Sequence, residues 1–197
     1  MRLLLASKSA ARRSMLEAAG IAFTSAEAEL DEEAAKAGLW SAGFDARGVA
    51  EELAQLKALS VEAEDDVLVL GSDQTLEGAD GTLINKPVSR DEVRGQLTSL
   101  RGSTHHLHSA AVVAQRGEAV WWACETVALT MRPFSDAFLD DYLDREWEHI
   151  RWSVGGYRIE GVGVQLFDRI EGSHFAILGM PLLPLLGYLR ERGVAPS

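Results

Sequence analysis

The chain has 197 residues, of which 47% are hydrophobic and 25% are charged. This length and composition are typical of one compact globular domain, and we predict a single domain over residues 1–197. The formal net charge of −11 argues against binding to a nucleic-acid polymer, because such proteins carry a broad basic face. An anionic substrate would need a local cluster of cations instead.

Neither export nor membrane insertion is predicted. The apolar start at residues 1–7 is too short for a signal peptide, and the richest apolar segment, residues 182–189, is interrupted by Pro184 and Gly187. Both fall well short of the roughly 20 apolar residues that cross a bilayer. The single cysteine, Cys124, excludes an intramolecular disulfide and suits a reducing compartment. We therefore expect a cytoplasmic protein with no membrane partner.

Strands and helices are predicted to alternate through the first part of the chain. In order they are a strand over residues 3–7, a helix over 10–19, a short strand over 21–23 and a helix over 46–59. Ser9 is suited to cap the first helix and Gly20 to end it. Residues 34–45 show no clear periodicity.

The predicted helix over residues 46–59 is amphipathic. Val49, Leu53 and Leu56 recur at positions i, i+4 and i+7, which is the spacing of one helix face. We expect these three side chains to be buried. Lys57 lies one position past this apolar stripe.

A short apolar run at residues 67–71 predicts a strand that is buried on both faces. This strand would place Ser72 and Asp73 at its carboxyl end, where α/β proteins usually carry their sites. The remaining predicted elements are a hairpin over 75–84, a helix opened by a capping box at 89–92, paired strands over 106–115 and 119–131, a helix over 135–145, strands over 161–170 and 175–178, and a final helix from Pro181 to near Gly193. Together they predict an α/β fold with a long mixed sheet.

The junction of the first strand and helix has the composition of a phosphate-binding site. Backbone N–H groups at a helix N-terminus carry partial positive charge, and Ser9, Arg12 and Arg13 would add donors. A capped helix with two solvated arginines is the alternative. Spacing alone leaves both interpretations open.

Asp73 is a second candidate, because an aspartate there can bind a divalent cation, accept a proton from water, or cap a turn. Lys86 follows the predicted hairpin and could approach it. The glycine-rich segment at residues 155–163 permits close approach of the backbone to a ligand. By contrast, strand alternation would separate His105 from its histidine neighbours, so we expect a solvated strand there rather than a metal site.

Taken in order, these segments resemble the Maf family of nucleotide pyrophosphatases. The matching segments are Leu5-Ala6-Ser7-Lys8-Ser9-Ala10-Ala11-Arg12-Arg13, Asp31-Glu32, Leu53-Ala54 with Lys57-Ala58, Gly71-Ser72-Asp73, Asn85-Lys86-Pro87, Gly155-Gly156-Tyr157 with Glu160-Gly161-Val162-Gly163, and Gly179-Met180-Pro181-Leu182. The match covers nearly the whole chain. It implies the architecture of inosine-triphosphate pyrophosphatases, with helices flanking the sheet and two lobes around a cleft.

The resemblance implies hydrolysis of a nucleoside triphosphate to a monophosphate and pyrophosphate. The residues implied to hold the phosphates are Ser9, Arg12, Arg13, Lys57 and Lys86. Glu32 and Asp73 are implied to bind a divalent metal cation, Mg²⁺ or Mn²⁺, and Asp73 is also implied to activate water. Cations and carboxylates suit attack on the α-phosphorus with a pyrophosphate leaving group.

Three further positions, Ala11, Gln74 and Glu160, are implied to read the base. Gln74 and Glu160 resemble the branch that acts on 7-methyl-GTP, whereas the dTTP/UTP branch tends to carry Thr and Gln. A carboxylate can accept the N1 and N2 protons of guanine and favours a methylated, cationic ring. Ala11 stands where the family commonly has Arg or Trp, and it cannot stack on that ring.

A different hypothesis is a non-catalytic nucleotide-binding regulator of septum formation, which the family's historical name implies. Retention of Glu32, Lys57, Asp73 and Lys86 together favours catalysis, since a pure binder could lose the acid that activates water. A homodimer is a further expectation from the resemblance.

Overall fold

A computed structural model describes residues 1–151 and 153–196. The strands are Arg2–Ala6 (β1), Thr24–Ala26 (β2), Val67–Glu77 (β3), Leu83–Ile84 (β4), Thr104–Gln115 (β5), Glu118–Met131 (β6) and Phe167–Glu171 (β7). The α-helices are Ala10–Ala18 (α1), Glu32–Ser41 (α2), Ala46–Leu59 (α3), Arg90–Leu100 (α4), Asp136–Ile150 (α5), His174–Ile177 (α6) and Leu182–Glu191 (α7), and the 3₁₀ helices are Val154–Gly156 and Val162–Leu166. Within these described ranges no helix combines the length and apolar character needed to span a membrane.

All seven strands belong to one mixed sheet, which has the order β2-β1-β3-β5-β6-β7 with β4 beside β3. Strand β1 is parallel to both β2 and β3, while the pairs β3–β4 and β6–β7 are antiparallel. The predicted α/β fold with a mixed sheet and flanking helices is therefore confirmed.

The chain divides into two compact units. The first consists of Met1–Gln74, His108–Thr126 and Ser173–Ser197, and the second of Thr75–Leu107 and Val127–Gly172. In the first unit the alternating strand side chains form two cores, one on each face of the sheet. One core packs Leu3, Leu5 and Leu70 against residues of α1 and α7, and the other packs Ala6 and Val69 against alanines of α3.

Helix α3 has the predicted bounds, but its buried face differs from the predicted one. Val49 and Leu53 are buried as expected, whereas Leu56 is 37% exposed and Lys57 only 4%. The face that meets the sheet is made of alanines, which a hydrophobic stripe of large residues does not reveal. Lys57 is therefore part of the buried face of α3.

Strand β3 is longer than predicted, and this corrects the placement of Asp73. The strand continues through Asp73 to Glu77 and pairs there with β4, so Asp73 lies within the strand and not at its end. The apolar run stops at Gly71 because the buried residues that follow are polar, Ser72 and Thr75 among them.

Four other segments also differ from expectation. The strand predicted at 21–23 lies instead at Thr24–Ala26, the unpatterned segment contains α2, the segment 175–178 is helical as part of α6, and the strand predicted over 161–170 begins only at Phe167. Helix α2 was missed because none of its side chains is buried, so it has no core-facing stripe. In contrast, Ser9 caps α1 as predicted, accepting a hydrogen bond from the Arg12 backbone N–H.

Candidate active site

Helix α3 and strand β3 are in direct backbone contact at Gly71. A Cβ on this residue would lie 2.1 Å from the carbonyl oxygen of Ala54 and 2.5 Å from the nitrogen of Ala58. Only glycine permits this approach. As a result Lys57 on α3 and Asp73 on β3 point into the same small volume.

Lys57 forms two ion pairs. Its Nζ donates to Oδ1 of Asp73 at 2.5 Å and lies 3.0 Å from Oε2 of Glu32. Lys57 and Asp73 are buried, while the Glu32 side chain is half exposed. Glu32 is the first residue of α2, whose N-cap Asp31 accepts from the backbone N–H of Ala34 at 3.0 Å. The lysine holds two carboxylates close together that would otherwise repel each other.

Arg12 adds a second buried cation. Its Nε donates to the carbonyl oxygen of Gly179 at 2.9 Å, and its Nη1 donates to Oγ of Ser7 at 3.3 Å. Burial lowers the pKa of the Arg12 guanidinium, and the negative charges of Asp73 and Glu32 act in the opposite direction. Arg12 therefore shares an electrostatic environment with both carboxylates.

The other predicted residues of the first helix have different surroundings. Oγ of Ser9 accepts from the backbone N–H of Arg12 at 3.4 Å, which is its capping bond. Arg13 and Ala11 are exposed on α1. The structure thus brings Ser9, Arg12, Lys57, Glu32 and Asp73 together within the first unit.

Two supporting residues, Ser72 and Gly179, have no role assigned from the sequence. Oγ of Ser72 lies 2.8 Å from the carbonyl oxygen of Ala110 and 3.1 Å from that of Gly179. Gly179 has a φ of +103° and is contacted by the Arg12 guanidinium. The only available signals were that Ser72 precedes Asp73 and that Gly179 opens a recognised motif.

Gln74 is held by the protein through its amide nitrogen. Nε2 donates to Oγ of Ser109 at 2.9 Å and to the carbonyl oxygen of Ala176 at 2.8 Å. Ser109 in turn donates to the same Ala176 carbonyl at 2.6 Å. These bonds join β3 and β5 to α6 and fix the position of the Gln74 side chain.

Lys86 and Glu160 lie in the second unit, and both are exposed. Lys86 is in the loop after β4, and Glu160 is in a turn between the two 3₁₀ helices. Two of the nearby glycines are packed tightly against side chains of the same unit. A Cβ on Gly155 would lie 2.6 Å from Cδ1 of Leu76, and one on Gly156 would lie 2.4 Å from Cγ1 of Val93. These glycines serve packing within the protein.

Two of the three histidines of β5, His105 and His108, are buried, which corrects the expectation of a solvated strand. His105 is fully buried, and its Nε2 lies 2.8 Å from the hydroxyl of Tyr157. Burial lowers the pKa of His105 to about 4, so its imidazole is neutral at pH 7. His108 is also buried, with Nδ1 at 2.9 Å from Oγ1 of Thr126.

Glu32 and Asp73 have the chemistry of a divalent-cation site. Both present a carboxylate oxygen within 3.0 Å of one nitrogen atom, so the two oxygens converge. Over residues 1–151 and 153–196 no group of three or more His, Cys, Asp or Glu side chains is arranged to hold a metal. Mg²⁺ is commonly held by one or two carboxylates together with substrate phosphates, and these two residues fit that pattern.

Comparisons with known proteins identify the family of the chain. Residues 2–192 match the family model described as Maf-like protein. The chain is 50% identical to a nucleoside triphosphate pyrophosphatase of Caulobacter vibrioides, over 96% of this chain and 94% of that protein. Proteins with the same name from Sphingopyxis alaskensis and Paramagnetospirillum magneticum are 47% and 49% identical, covering 100% and 96% of this chain and 100% and 98% of their own lengths. The chain belongs to the Maf family.

Proposed function

We propose that the protein is a nucleoside triphosphate pyrophosphatase that cuts the bond between the α- and β-phosphates. The observation that carries the proposal is the cluster in which Lys57 contacts Asp73 and Glu32 beside the buried guanidinium of Arg12. The cluster combines cations that can bind phosphate with carboxylates that can activate water or bind a metal. Relatives that align along nearly their whole length carry the name of this activity.

In the proposed step, the oxygen of a water molecule attacks the α-phosphorus while the bond to the bridging oxygen of the β-phosphate breaks. The products are a nucleoside monophosphate and pyrophosphate. The carboxylate of Asp73 accepts the water proton. Cationic side chains stabilise the charge that develops on the leaving group. The residues assigned to the phosphates are Ser9, Arg12, Arg13, Lys57 and Lys86.

Glu32 and Asp73 are the residues that would hold Mg²⁺ or Mn²⁺. A bound cation would supply charge stabilisation at phosphate oxygens. Lys57 contacts both carboxylates in the protein alone. Its ammonium group therefore supplies positive charge beside the two carboxylates that would hold the cation.

Among nucleoside triphosphates, the proposed substrate is 7-methyl-GTP. Glu160 would accept the N1 and N2 protons of the guanine ring, and its negative charge would favour the methylated, cationic form. Gln74 and Ala11 complete the base-reading set. The fixed position of Gln74, which is bonded to Ser109 and to α6, supports a role in shaping a site.

Four broader features of the proposal come from the resemblance or from the composition of the sequence. They are an inosine-triphosphate-pyrophosphatase architecture with two lobes around a cleft, one functional domain over residues 1–197, a cytoplasmic location and a homodimer. The family match over residues 2–192 is compatible with one functional domain.

The test is a panel of common and methylated nucleoside triphosphates, incubated with purified protein and Mg²⁺ or Mn²⁺ and analysed for products. Pyrophosphate and nucleoside monophosphate in equal amounts are expected, with 7-methyl-GTP turned over fastest. Orthophosphate and a diphosphate as the only products would overturn the assignment of the cleaved bond. Tight nucleotide binding without any turnover would favour the regulator of septum formation.

A further inference from the structure

Arg158 and Glu146 form an ion pair within the second unit. Nε of Arg158 donates to Oε2 of Glu146 at 2.9 Å. Glu146 lies on α5 and is only 6% exposed, whereas the Arg158 side chain is about one third exposed. The hydrogen bond to Glu146 raises the pKa of Arg158. A buried carboxylate of this kind is costly without its cation.

The guanidinium of Arg158 lies beside the peptide that follows Glu160. A Cβ on Gly161 would lie 3.1 Å from Nε and 3.2 Å from Nη2 of Arg158. The missing side chain of Gly161 therefore makes room for the guanidinium. Glu160 also contributes to the raised pKa of Arg158, as a weaker cause than Glu146. The same cation thus bonds to a buried carboxylate and is affected by the charge of an exposed one.

Glu146, Arg158 and Glu160 together contain two carboxylates and one cation. Arg158 is matched by Glu146, which leaves the negative charge of Glu160 uncompensated by that arginine. The remaining titratable group is Tyr142, whose hydroxyl donates to the carbonyl oxygen of Gly156 at 3.2 Å. Burial raises the pKa of Tyr142, so it stays neutral. After Glu146, Glu160 is the carboxylate whose charge raises the pKa of Arg158.

We propose that Glu146 determines base specificity indirectly, as a positioning residue. It holds Arg158 away from Glu160 and so keeps the Glu160 carboxylate available to a guanine-type or cationic base. This inference rests on the proposed function, in which Glu160 reads the base. It adds Glu146 and Arg158, neither of which contacts the phosphates in that proposal.

The first experiment needs no substrate. The side-chain carboxyl of Glu160 is titrated by carbon-detected NMR in the wild type, Glu146→Gln and the double variant Glu146→Gln/Arg158→Gln. In Glu146→Gln we expect the pKa of Glu160 to fall by about one unit, because Arg158 pairs with it. In the double variant it should return to the wild-type value. An unchanged pKa in Glu146→Gln, or no return in the double variant, overturns the proposal.

The second experiment measures kcat/KM for 7-methyl-GTP and for UTP. Glu146→Gln should lower the ratio of the two about tenfold, in the same direction as Glu160→Gln, since one polar base contact is weakened. The double variant with Arg158→Gln should recover the ratio to within about twofold. A purely structural role of Glu146 predicts no recovery, because removing Arg158 cannot repair a distorted helix.

Two further variants make the result decisive. Asp141→Asn removes an exposed carboxylate of the same helix that pairs with Arg145 at 3.0 Å, and it should leave both readouts unchanged. If Glu146→Gln does not fold, Arg158→Gln alone is measured. It should keep the wild-type ratio, and a tenfold loss would mean that Arg158 itself contacts the base and would overturn the proposal.

Failure of the proposed function and failure of this inference give different experimental results. Absence of α–β hydrolysis by the wild type would overturn the proposed function and this inference with it. Normal hydrolysis with the same substrate ratio in every variant would overturn the inference alone.

Discussion

Asp73 carries two assignments at once, proton acceptor and metal ligand, and one substitution tests whether it takes part in the chemical step. Asp73→Asn keeps the shape of the side chain and an oxygen that Lys57 can contact, but the amide cannot take a proton from water. We expect kcat to fall about a hundredfold or more, the usual scale for loss of a general base. Triphosphate affinity should change little, because Arg12 and the other assigned cations remain. Single-turnover kinetics and calorimetric titration separate the two effects.

The matched control is Asp168→Asn, which makes the same chemical change at an exposed position of β7. It should retain wild-type turnover. Full activity of Asp73→Asn would remove the residue from the chemical step and leave it, at most, a structural partner of Lys57.

The burial of Lys57 leads to a separate prediction about the stability of the protein. Lys57→Met leaves Asp73, which is 8% exposed, without its cation and facing Glu32. Breaking a buried ion pair by removing one partner costs about 3 kcal/mol or more. Urea unfolding at pH 7 measures this loss. Lys8→Met removes an exposed ion pair with Glu27 and should cost less than about 1 kcal/mol. Equal losses in the two variants would contradict burial of the Lys57 pair.

At the scale of elements, the crossing of α3 over β3 positions Lys57 against Asp73. Gly71→Ala would place a methyl group 2.1 Å from the Ala54 carbonyl oxygen, so the strand and helix must separate. Overpacking of this kind costs about 3 kcal/mol, or more where backbone atoms are involved. We expect a lower melting temperature together with a loss of turnover, because the separation moves Lys57 away from Asp73.

Gly95→Ala is the control for that substitution. Gly95 lies in α4, and a Cβ there would have no heavy atom within 4 Å. Alanine should stabilise this helix by up to about 1 kcal/mol. If Gly71→Ala were equally tolerated, the backbone contact would not be what joins the two elements.

At the scale of the whole molecule, local patterns predicted the elements better than they predicted the site. The bounds of α3 and the Ser9 cap followed from periodicity and capping chemistry, because both depend on neighbouring residues. The contact between Arg12 and Gly179 joins residues 167 positions apart, and no local pattern contains it. The burial of Lys57 was hidden for a related reason, since its partners lie on β3 and α2.

The family resemblance placed in one site residues that local patterns had indicated singly or not at all. It grouped Arg12, Glu32, Lys57 and Asp73 before any contact between them was visible, and the structure brings all four together. It gave no account of the bonds that hold them. The roles of Ser72 and Gly179 came from the structure alone, because the hydrogen bonds of Ser72 reach the carbonyl oxygens of Ala110 and Gly179 in distant parts of the chain.

Buried His105 predicts how the stability of the whole molecule depends on pH. The pKa of His105 is about 4 in the folded protein and about 6.5 as a model value, so the unfolded chain binds the proton more tightly. The contribution of the neutral imidazole to the free energy of unfolding is therefore fully present above pH 6.5 and is lost progressively as the pH falls toward 4. A difference of this size corresponds to about 3 kcal/mol.

Carboxylates also titrate in this range, so the prediction concerns a difference between variants. His105→Gln keeps a group that can hydrogen-bond to Tyr157 but removes the titration. We expect the free energy of unfolding of the wild type to fall about 3 kcal/mol further than that of His105→Gln between pH 7 and pH 4, measured by urea unfolding at several pH values. His149→Gln, at an exposed position of α5, should follow the wild type. Parallel curves for wild type and His105→Gln would show that His105 is able to take up its proton without opening the fold.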